Sequence, residues 1–184
     1  MIWFTSDTHF GHKNILKYTD RPFSSVEEMD EILIENWNNR IEKDDEVYHL
    51  GDVALCSPKK LRKILARLNG KIYLIRGNHD KSAEACRDRF EWIKDYYELE
   101  VPDRNGYKGK QLIVLFHYAM RVWQASHYGT YHLYGHSHGE LPDDPNSLSF
   151  DVGVDCHNYV PLDYDEIRSI MMEKSWSPPQ LRAG

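Results

Sequence analysis

The segment Ile2-Trp3-Phe4-Thr5-Ser6-Asp7-Thr8-His9 sets the pattern that predicts the fold of this 184-residue chain. A short apolar and aromatic run is followed closely by an Asp and a His, and runs of this kind that end at a turn are typical of buried strands. Four other segments repeat the pattern: Val47–Leu50 before Gly51-Asp52, Ile72–Ile75 before Gly77-Asn78-His79-Asp80, Leu112–Phe116 before His117, and Tyr131–Tyr134 before Gly135-His136-Ser137-His138.

The polar residues that follow these runs are predicted to meet in one site. Open α/β sheets bind ligands just beyond the carboxyl ends of their strands, so residues distant in sequence become neighbours there. Carboxylate, imidazole and amide groups without a thiolate suit two divalent cations, with Mn²⁺ expected first and Fe, Zn²⁺ or Ni²⁺ as alternatives. The candidate residues at these strand ends are Asp7, His9, Asp52, Asn78, His79, Asp80, His117, His136 and His138.

Helices and one hairpin are marked by their end signals. Asn105-Gly106 predicts a hairpin turn between strands at 96–101 and 111–116, and residues 117–131 are expected to form a loop with a short helix near the site mouth. Three helices are predicted from caps and turns: Ser25 with Glu28 opens one that runs to about Ile41, Ser57 before Pro58 opens one that ends at Asn69-Gly70, and Asp163 with Glu166 opens the last.

Composition indicates one domain over residues 1–174 and a C-terminal tail over 175–184, since 41% of the residues are apolar. No apolar stretch is long enough for a membrane span or a signal peptide, so we expect a cytoplasmic protein without a membrane partner. The three cysteines lack Cys-x-x-Cys pairing, which disfavours a zinc ribbon. A net charge of −6 argues against extended nucleic-acid binding without excluding it, and the oligomeric state stays open.

The predicted ligand set leaves a small positive charge in the site. Two divalent cations, the carboxylates of Asp7 and Asp52 and one bridging hydroxide leave a net charge of about +1, which attracts a phosphate anion even on an acidic protein. The cations also lower the pKa of a bound water towards ~7, so a nucleophile is available at neutral pH.

The order of these motifs resembles the calcineurin-like metallophosphoesterase superfamily over residues 2 to about 160, and Ser6–Asn14 is similar to a subgroup of small bacterial and phage phosphoesterases. The resemblance implies an α/β fold of two packed mixed β-sheets flanked by helices, a four-layer αββα sandwich. It also implies that His79 is the acid that protonates the leaving oxygen and that Asp52 bridges the metals. One metal would then take Asp7, His9, Asp52 and His138, and the other Asp52, Asn78, His117 and His136.

One departure from that family concerns phosphate binding. The protein-phosphatase branch has an Asp and an Arg where this chain has Leu55 and Cys56, which puts protein-phosphatase activity in doubt. Asp80 is a candidate for orienting His79 in place of the absent Asp. The candidate substrate contacts are His12, Asn14, Arg76, Arg121 and His157.

The sequence therefore predicts a binuclear metal-dependent phosphoric ester hydrolase. Its substrates would be small, nucleotide-like phosphate mono- or diesters, attacked by the metal-bridging hydroxide. One alternative is a nuclease or polynucleotide end-processing phosphatase, which needs a basic groove, whereas Lys and Arg are dispersed here. Another is a noncatalytic metal-binding interaction scaffold, whose expected loss of ligands is not seen. Each motif alone also has a purely structural explanation. His117 could be a histidine of the core, and Gly51-Asp52 could be an ordinary turn.

Overall fold

A computed structural model describes residues 1–178 of the chain. Within these residues nine strands form two mixed sheets. They are β1 Ile2–Thr5, β2 Glu46–His49, β3 Lys71–Ile75, β4 Trp92–Lys94, β5 Tyr96–Pro102, β6 Lys110–Phe116, β7 Tyr131–Tyr134, β8 Ser149–Asp151 and β9 Leu162–Asp163. The helices are α1 Ile15–Tyr18, α2 Val26–Arg40, α3 Pro58–Leu65, α4 Lys81–Glu84 and α5 Tyr164–Met172.

The first sheet has the order β4-β3-β2-β1-β9, in which β1 to β4 run parallel and β9 is antiparallel to β1. The second has the order β5-β6-β7-β8, in which β5 is antiparallel to β6 and the remaining pairs are parallel. The carboxyl ends of β1, β2, β3, β6 and β7 carry the predicted ligands. The two mixed sheets and the α/β class agree with the sequence prediction.

Two apolar cores separate the layers. On one face of the first sheet, Trp3 and Val47 pack with Leu33 and Trp37 of α2 and Leu61 of α3. Side chains alternate between the two faces of a strand, so the next residues of these strands point the other way. There Phe4, Tyr48 and Ile75 pack between the sheets against Leu115 and Leu133.

The irregular segment after His117 packs on β7 of the second sheet. Trp123 packs on His132 of β7 with their rings 5.2 Å apart, and the Met120 N–H donates to His132 Nε2. Helix α5 lies at the edge of the inter-sheet core, where Ile167 and Met171 are buried. The helical flank in the described residues is therefore concentrated on the first sheet.

The caps explain where the helices begin and show one difference from prediction. Asp163 and Glu166 form the complete capping box that was predicted for α5. At α2 the Ser25 hydroxyl accepts the Glu28 N–H, but the Glu28 carboxylate accepts the Ser24 N–H, so the box there is only half formed.

Two predicted helix positions were wrong. Helix α3 ends at Leu65 and does not reach Asn69, because the Asn69 N–H donates to Asn38 Oδ1 and its side chain donates to Ile41 O at the end of α2. The short helical turn Ser126–Tyr128 lies before the start of β7, whereas the site lies at its end. It therefore lies away from the site mouth.

The C-terminal segment is described in part. Ser175 N–H donates to Pro145 O, and Trp176 packs against the inter-sheet core, so residues 175–178 lie along the surface. Residues 179–184 of the predicted tail lie outside the described residues, and the domain boundary at 174 stays a prediction. Within residues 1–178 no helix combines the length and apolarity that a membrane span needs.

Candidate metal centre

Six of the seven predicted ligands lie in two groups at the carboxyl ends of the strands. Asp7, His9 and His138 form the first cluster, and Asp52, His117 and His136 form the second. Within each cluster the ligand atoms lie within 4.8 Å of one another, close enough to share one cation. The sequence-distant motifs thus converge on one place.

Asp52 lies between the two clusters. Its Oδ2 is 3.6 Å from His9 Nε2 and its Oδ1 is 3.7 Å from His117 Nε2, so one carboxylate oxygen faces each group. The seventh predicted ligand, Asn78, places its Oδ1 3.1 Å from His117 Nε2, on the side of the second cluster. This arrangement allows one carboxylate to contact two cations.

The backbone at the clusters is strained. Asp7, His9, Asp52, His136 and His138 all have a φ between 49° and 66°, in the left-handed region. Each such residue costs roughly 1–3 kcal/mol and persists only when its surroundings fix it. Asp and His tolerate this conformation better than most residues. These conformations point the five side chains towards one volume, and strain of this kind gathers at functional sites.

Three glycines allow the ligand loops to approach each other closely. A Cβ at Gly77 would lie 2.2 Å from Asp52 Oδ1, one at Gly135 2.3 Å from Asp7 Oδ2, and one at Gly51 2.4 Å from His117 Nδ1. These distances are far below van der Waals contact. The Gly-Asp, Gly-Asn-His and Gly-His-x-His motifs therefore need glycine for space beside the ligands.

Hydrogen bonds fix which nitrogen two of the histidines present. His138 Nδ1 donates to Asp155 Oδ2 at 2.7 Å, and His117 Nδ1 donates to Leu50 O at 2.7 Å. In both imidazoles Nδ1 is therefore occupied, and Nε2 is the nitrogen that faces the clusters. Such outer partners commonly orient metal-binding imidazoles and increase their basicity.

A buried arginine supports the first cluster from behind. Arg21 donates from Nε and Nη2 to the Asp155 carboxylate, and it also donates to the backbone oxygens of Asp7 and Thr8. Only 4% of Arg21 is exposed. The guanidinium therefore ties the Asp7–His9 loop to the residue that orients His138.

Several buried polar atoms in the first cluster lack a hydrogen-bond partner within the described part of the chain. They are Asp7 Oδ1, His9 Nδ1 and His9 Nε2. An unsatisfied buried polar atom costs about 1–3 kcal/mol, so native proteins rarely leave three together without a ligand. Since carboxylate oxygen and imidazole nitrogen are metal donors, these residues fit a divalent cation.

Burial also shifts the acid–base properties of this cluster. It raises the pKa of Asp7 to about 8 and lowers the pKa of His9 to about 2. Burial also lowers the pKa of His138. The hydrogen bond to Asp155 and the nearby charge of Asp7 outweigh burial, so the pKa of His138 is raised overall. Asp7 therefore gains strongly from a cation that favours its charged form.

The fold and the paired clusters agree with the family to which the sequence corresponds. Residues 1–150 match the family described as the calcineurin-like phosphoesterase superfamily domain. The chain belongs to this superfamily. Membership implies metal-dependent hydrolysis of phosphate esters.

Relatives extend over nearly the whole chain. An uncharacterized protein of Methanocaldococcus jannaschii is 40% identical, with 90% of this chain and 88% of that protein aligned. The gene 66 protein of Mycobacterium phage D29 is 30% identical, with 92% and 95% aligned. A crystal structure of a protein of unknown function from Aquifex aeolicus has a TM-score of 0.68 at 23% identity and covers 92% of this chain and 98% of its own, which shows the same fold.

A cleft of about 840 Å³ opens over the two clusters. His79 lines it beside Asp52, with its ring centroid 5.8 Å from that of His9. The predicted contacts His12 and Asn14 also line this cleft. The structure thus brings the candidate acid and two of the five predicted substrate contacts beside the clusters.

The other predicted contacts are placed elsewhere, which corrects three of our expectations. Arg76 forms ion pairs with Glu84 and Asp95, so its charge is already compensated. Arg121 is exposed on the segment after β6 and is not among the cleft-lining residues. His157 contacts Asp151 O through Nε2 and lines a neighbouring hollow.

Asp80 does not orient His79, which corrects a further expectation. Its Oδ1 accepts the Val53 N–H, and its Oδ2 accepts the N–H groups of Asp52 and Gly77. The carboxylate is thus occupied by the two loops that carry Asp52 and Asn78. Its role is to hold these loops together.

Sequence reasoning missed Arg21 and Asp155. The only sequence signal for Asp155 is its place in Asp151-Val-Gly-Val-Asp155, a turn-like stretch beside a short strand. Arg21 lies 134 residues away from its partner. No local pattern marks a buried arginine of this kind.

Proposed function

We propose that this protein hydrolyses small, nucleotide-like phosphate mono- or diesters with two divalent cations, of which Mn²⁺ is our first choice. The observation that carries the proposal is the position of the Asp52 carboxylate, whose two oxygens face His9 and His117 at 3.6 and 3.7 Å. A shared ligand between two groups of three is what a binuclear centre requires. A cytoplasmic location and a small phosphate ester as partner belong to the same proposal.

The seven predicted ligands would be divided between the two ions. The first ion would take Asp7, His9, Asp52 and His138, and the second Asp52, Asn78, His117 and His136. When bound, two such cations neutralise phosphate oxygens and lower the pKa of a bound water towards ~7, which supplies the nucleophile.

In this proposal His79 would protonate the leaving group. It is exposed, lines the cleft and lies beside the first cluster, where it can reach an ester oxygen without being a ligand. A positioned acid of this kind contributes about 10²–10⁴-fold to the rate. His12 and Asn14 offer an imidazole and an amide to the substrate on the same wall.

The wall of the cleft favours small substrates over polynucleotides. Among the described residues that line it, none is Lys or Arg. A nuclease needs such side chains to follow the phosphate backbone of a strand.

The test compares hydrolysis of bis-p-nitrophenyl phosphate, p-nitrophenyl phosphate and an alkyl phosphate ester by the Mn²⁺-loaded protein and by His79→Gln. We expect His79→Gln to keep its metal content and to lose about 10²–10⁴-fold in rate on the alkyl ester, with a smaller loss on nitrophenyl esters, whose leaving groups need little acid help. His127→Gln, on an exposed turn outside the cleft, is the matched control. Full activity of His79→Gln on the alkyl ester would remove His79 from this role, and no hydrolysis by the loaded wild-type protein would reject the proposed function.

A further inference from the structure

Exposed apolar side chains line one wall of the cleft. Tyr18 has 67% of its surface exposed, Leu141 45% and Leu55 42%, and all three belong to the lining beside the first cluster. Large, solvent-exposed apolar side chains grouped around a polar centre indicate a ligand-binding surface. The cleft therefore presents an apolar surface to whatever is attached to the bound phosphate.

A second aromatic surface lies at the other cluster. Tyr118 is 40% exposed, and its ring centroid is 4.7 Å from that of His136. Tyr18 instead lies near the first cluster, because its ring is 6.1 Å from His12, whose ring is 5.4 Å from His9. The candidate metal centre thus has an exposed tyrosine beside each of its two halves.

The net charge of the cleft favours a substrate with one negative charge over a substrate with two. With both cations, the two carboxylates and the nucleophile counted, about one positive charge remains. The described lining adds the carboxylate of Glu140 and no Lys or Arg, which brings the sum to about zero. A phosphodiester adds one negative charge to this balance and a fully ionised monoester adds two, so the diester is the better compensated of the two.

We propose that the candidate metal centre takes a phosphodiester with one organic group in the cleft, against Tyr18, Leu55 and Leu141, and the other outside the cleft lining, against Tyr118 beside His136. At least one of the organic groups is a planar ring that stacks on a tyrosine. This inference rests on the proposed function, because it names the substrate class of the same site.

The reaction is then a single hydrolysis of the diester. The oxygen of water forms a new bond to phosphorus, and one ester P–O bond breaks. The departing oxygen keeps the electron pair and takes a proton, so the products are an alcohol and a phosphate monoester. The monoester has gained a negative charge and lost one apolar contact, and both changes favour its release.

Two non-hydrolysable anions test the inference by equilibrium binding. Diphenylphosphinate has one charge and two rings, and phenylphosphonate has one ring and up to two charges. Calorimetry with the Mn²⁺-loaded protein should show tighter binding of diphenylphosphinate. Because aromatic stacking on one ring is worth about 5- to 150-fold in affinity, Tyr18→Ala and Tyr118→Ala should each weaken its binding by a factor in that range. Tyr128→Ala, which removes a tyrosine with 73% of its surface exposed and outside both proposed surfaces, should leave it unchanged.

Metal content and thermal unfolding are measured for every variant. If Tyr18→Ala alters either, Leu141→Asn repeats the test on the same surface. Equal or tighter binding of phenylphosphonate, or an effect of only one tyrosine, would overturn the inference. Binding of diphenylphosphinate with the expected variant effects, but without hydrolysis of bis-p-nitrophenyl phosphate, would reject the proposed function and keep the ligand preference. Hydrolysis of p-nitrophenyl phosphate at the same or a higher kcat/KM would reject the diester preference and keep the function.

Discussion

The two halves of the candidate metal centre use similar ligands but are supported differently. In the first cluster all three ligands are largely buried, and the Arg21–Asp155 ion pair holds His138 from behind. In the second cluster His136 is exposed, and the partner of His117 is a neutral backbone oxygen. A buried site with charged support is held more rigidly and excludes water better. We therefore expect the first cluster to bind its ion more tightly and the second to exchange it faster.

The largest effect should come from the residue that the two halves share. Asp52→Asn is expected to lower metal content from two ions per chain to fewer than one, and hydrolysis by about 10³-fold, because both cations contribute to transition-state stabilisation. Elemental analysis and initial rates measure this, with the exposed Glu35→Gln as the control. Two ions per chain in Asp52→Asn would show that the carboxylate is not the bridge.

The charged support of the first cluster gives the next largest effect. Asp155→Asn removes the carboxylate that accepts the His138 Nδ1–H, so the affinity of one ion should fall about 10- to 100-fold while the other is unchanged. A two-site calorimetric titration with Mn²⁺ resolves the two affinities. Asp88→Asn, which breaks an exposed ion pair with Arg62, is the matched control. Equal weakening of both sites would remove the contrast between the clusters.

Acidity should also act mainly on the first cluster. Because the pKa of Asp7 is raised to about 8, its contribution to stability in metal-free protein is fully present below about 3.8 and is lost as the pH rises through about 8. Metal binding must displace that proton, so its affinity should fall by up to tenfold for each pH unit below ~8. The gain in Tm on adding Mn²⁺ should therefore grow from pH 6 to pH 8. A constant gain would mean that Asp7 is already ionised in metal-free protein.

The smallest effect is expected at the open side of the second cluster. The Tyr118 hydroxyl lies 3.4 Å from Asn78 Oδ1, a long and exposed contact. Tyr118→Phe should change metal affinity by less than about threefold, since a weak neutral hydrogen bond contributes little and the ring is kept. The two-site calorimetric titration with Mn²⁺ measures this affinity. A tenfold loss would show that the second cluster also depends on its outer partners.

The ligands could be predicted from the sequence, whereas the residues that hold them in place could not. Asp7, Asp52 and His117 could be located because each follows an apolar strand within a few residues, and parallel strands bring their ends together. Arg21 and Asp155 could not, since a buried ion pair between segments 134 residues apart leaves no local pattern. The family resemblance supplied the fold and the division of ligands between two ions.

Other differences have local physical causes. Arg76 follows a strand beside the motif and was a reasonable phosphate contact, but Glu84 and Asp95 compensate its charge. Strands β4, β8 and β9 have only two or three residues, too few for an alternating pattern to be recognised. Helix α3 stopped early because Asn69 bonds to the end of α2, a contact between segments that no propensity includes.

The left-handed conformations of five predicted ligands have a consequence for the robustness of the molecule. Because these conformations are maintained by the surrounding packing, we expect damage to a core residue such as Leu61 to disturb the strand ends first. Local unfolding there would release the cations while both sheets persist. Moderate warming, or chemical damage to a core side chain, should therefore abolish activity well before the protein aggregates. Added Mn²⁺ should restore the activity.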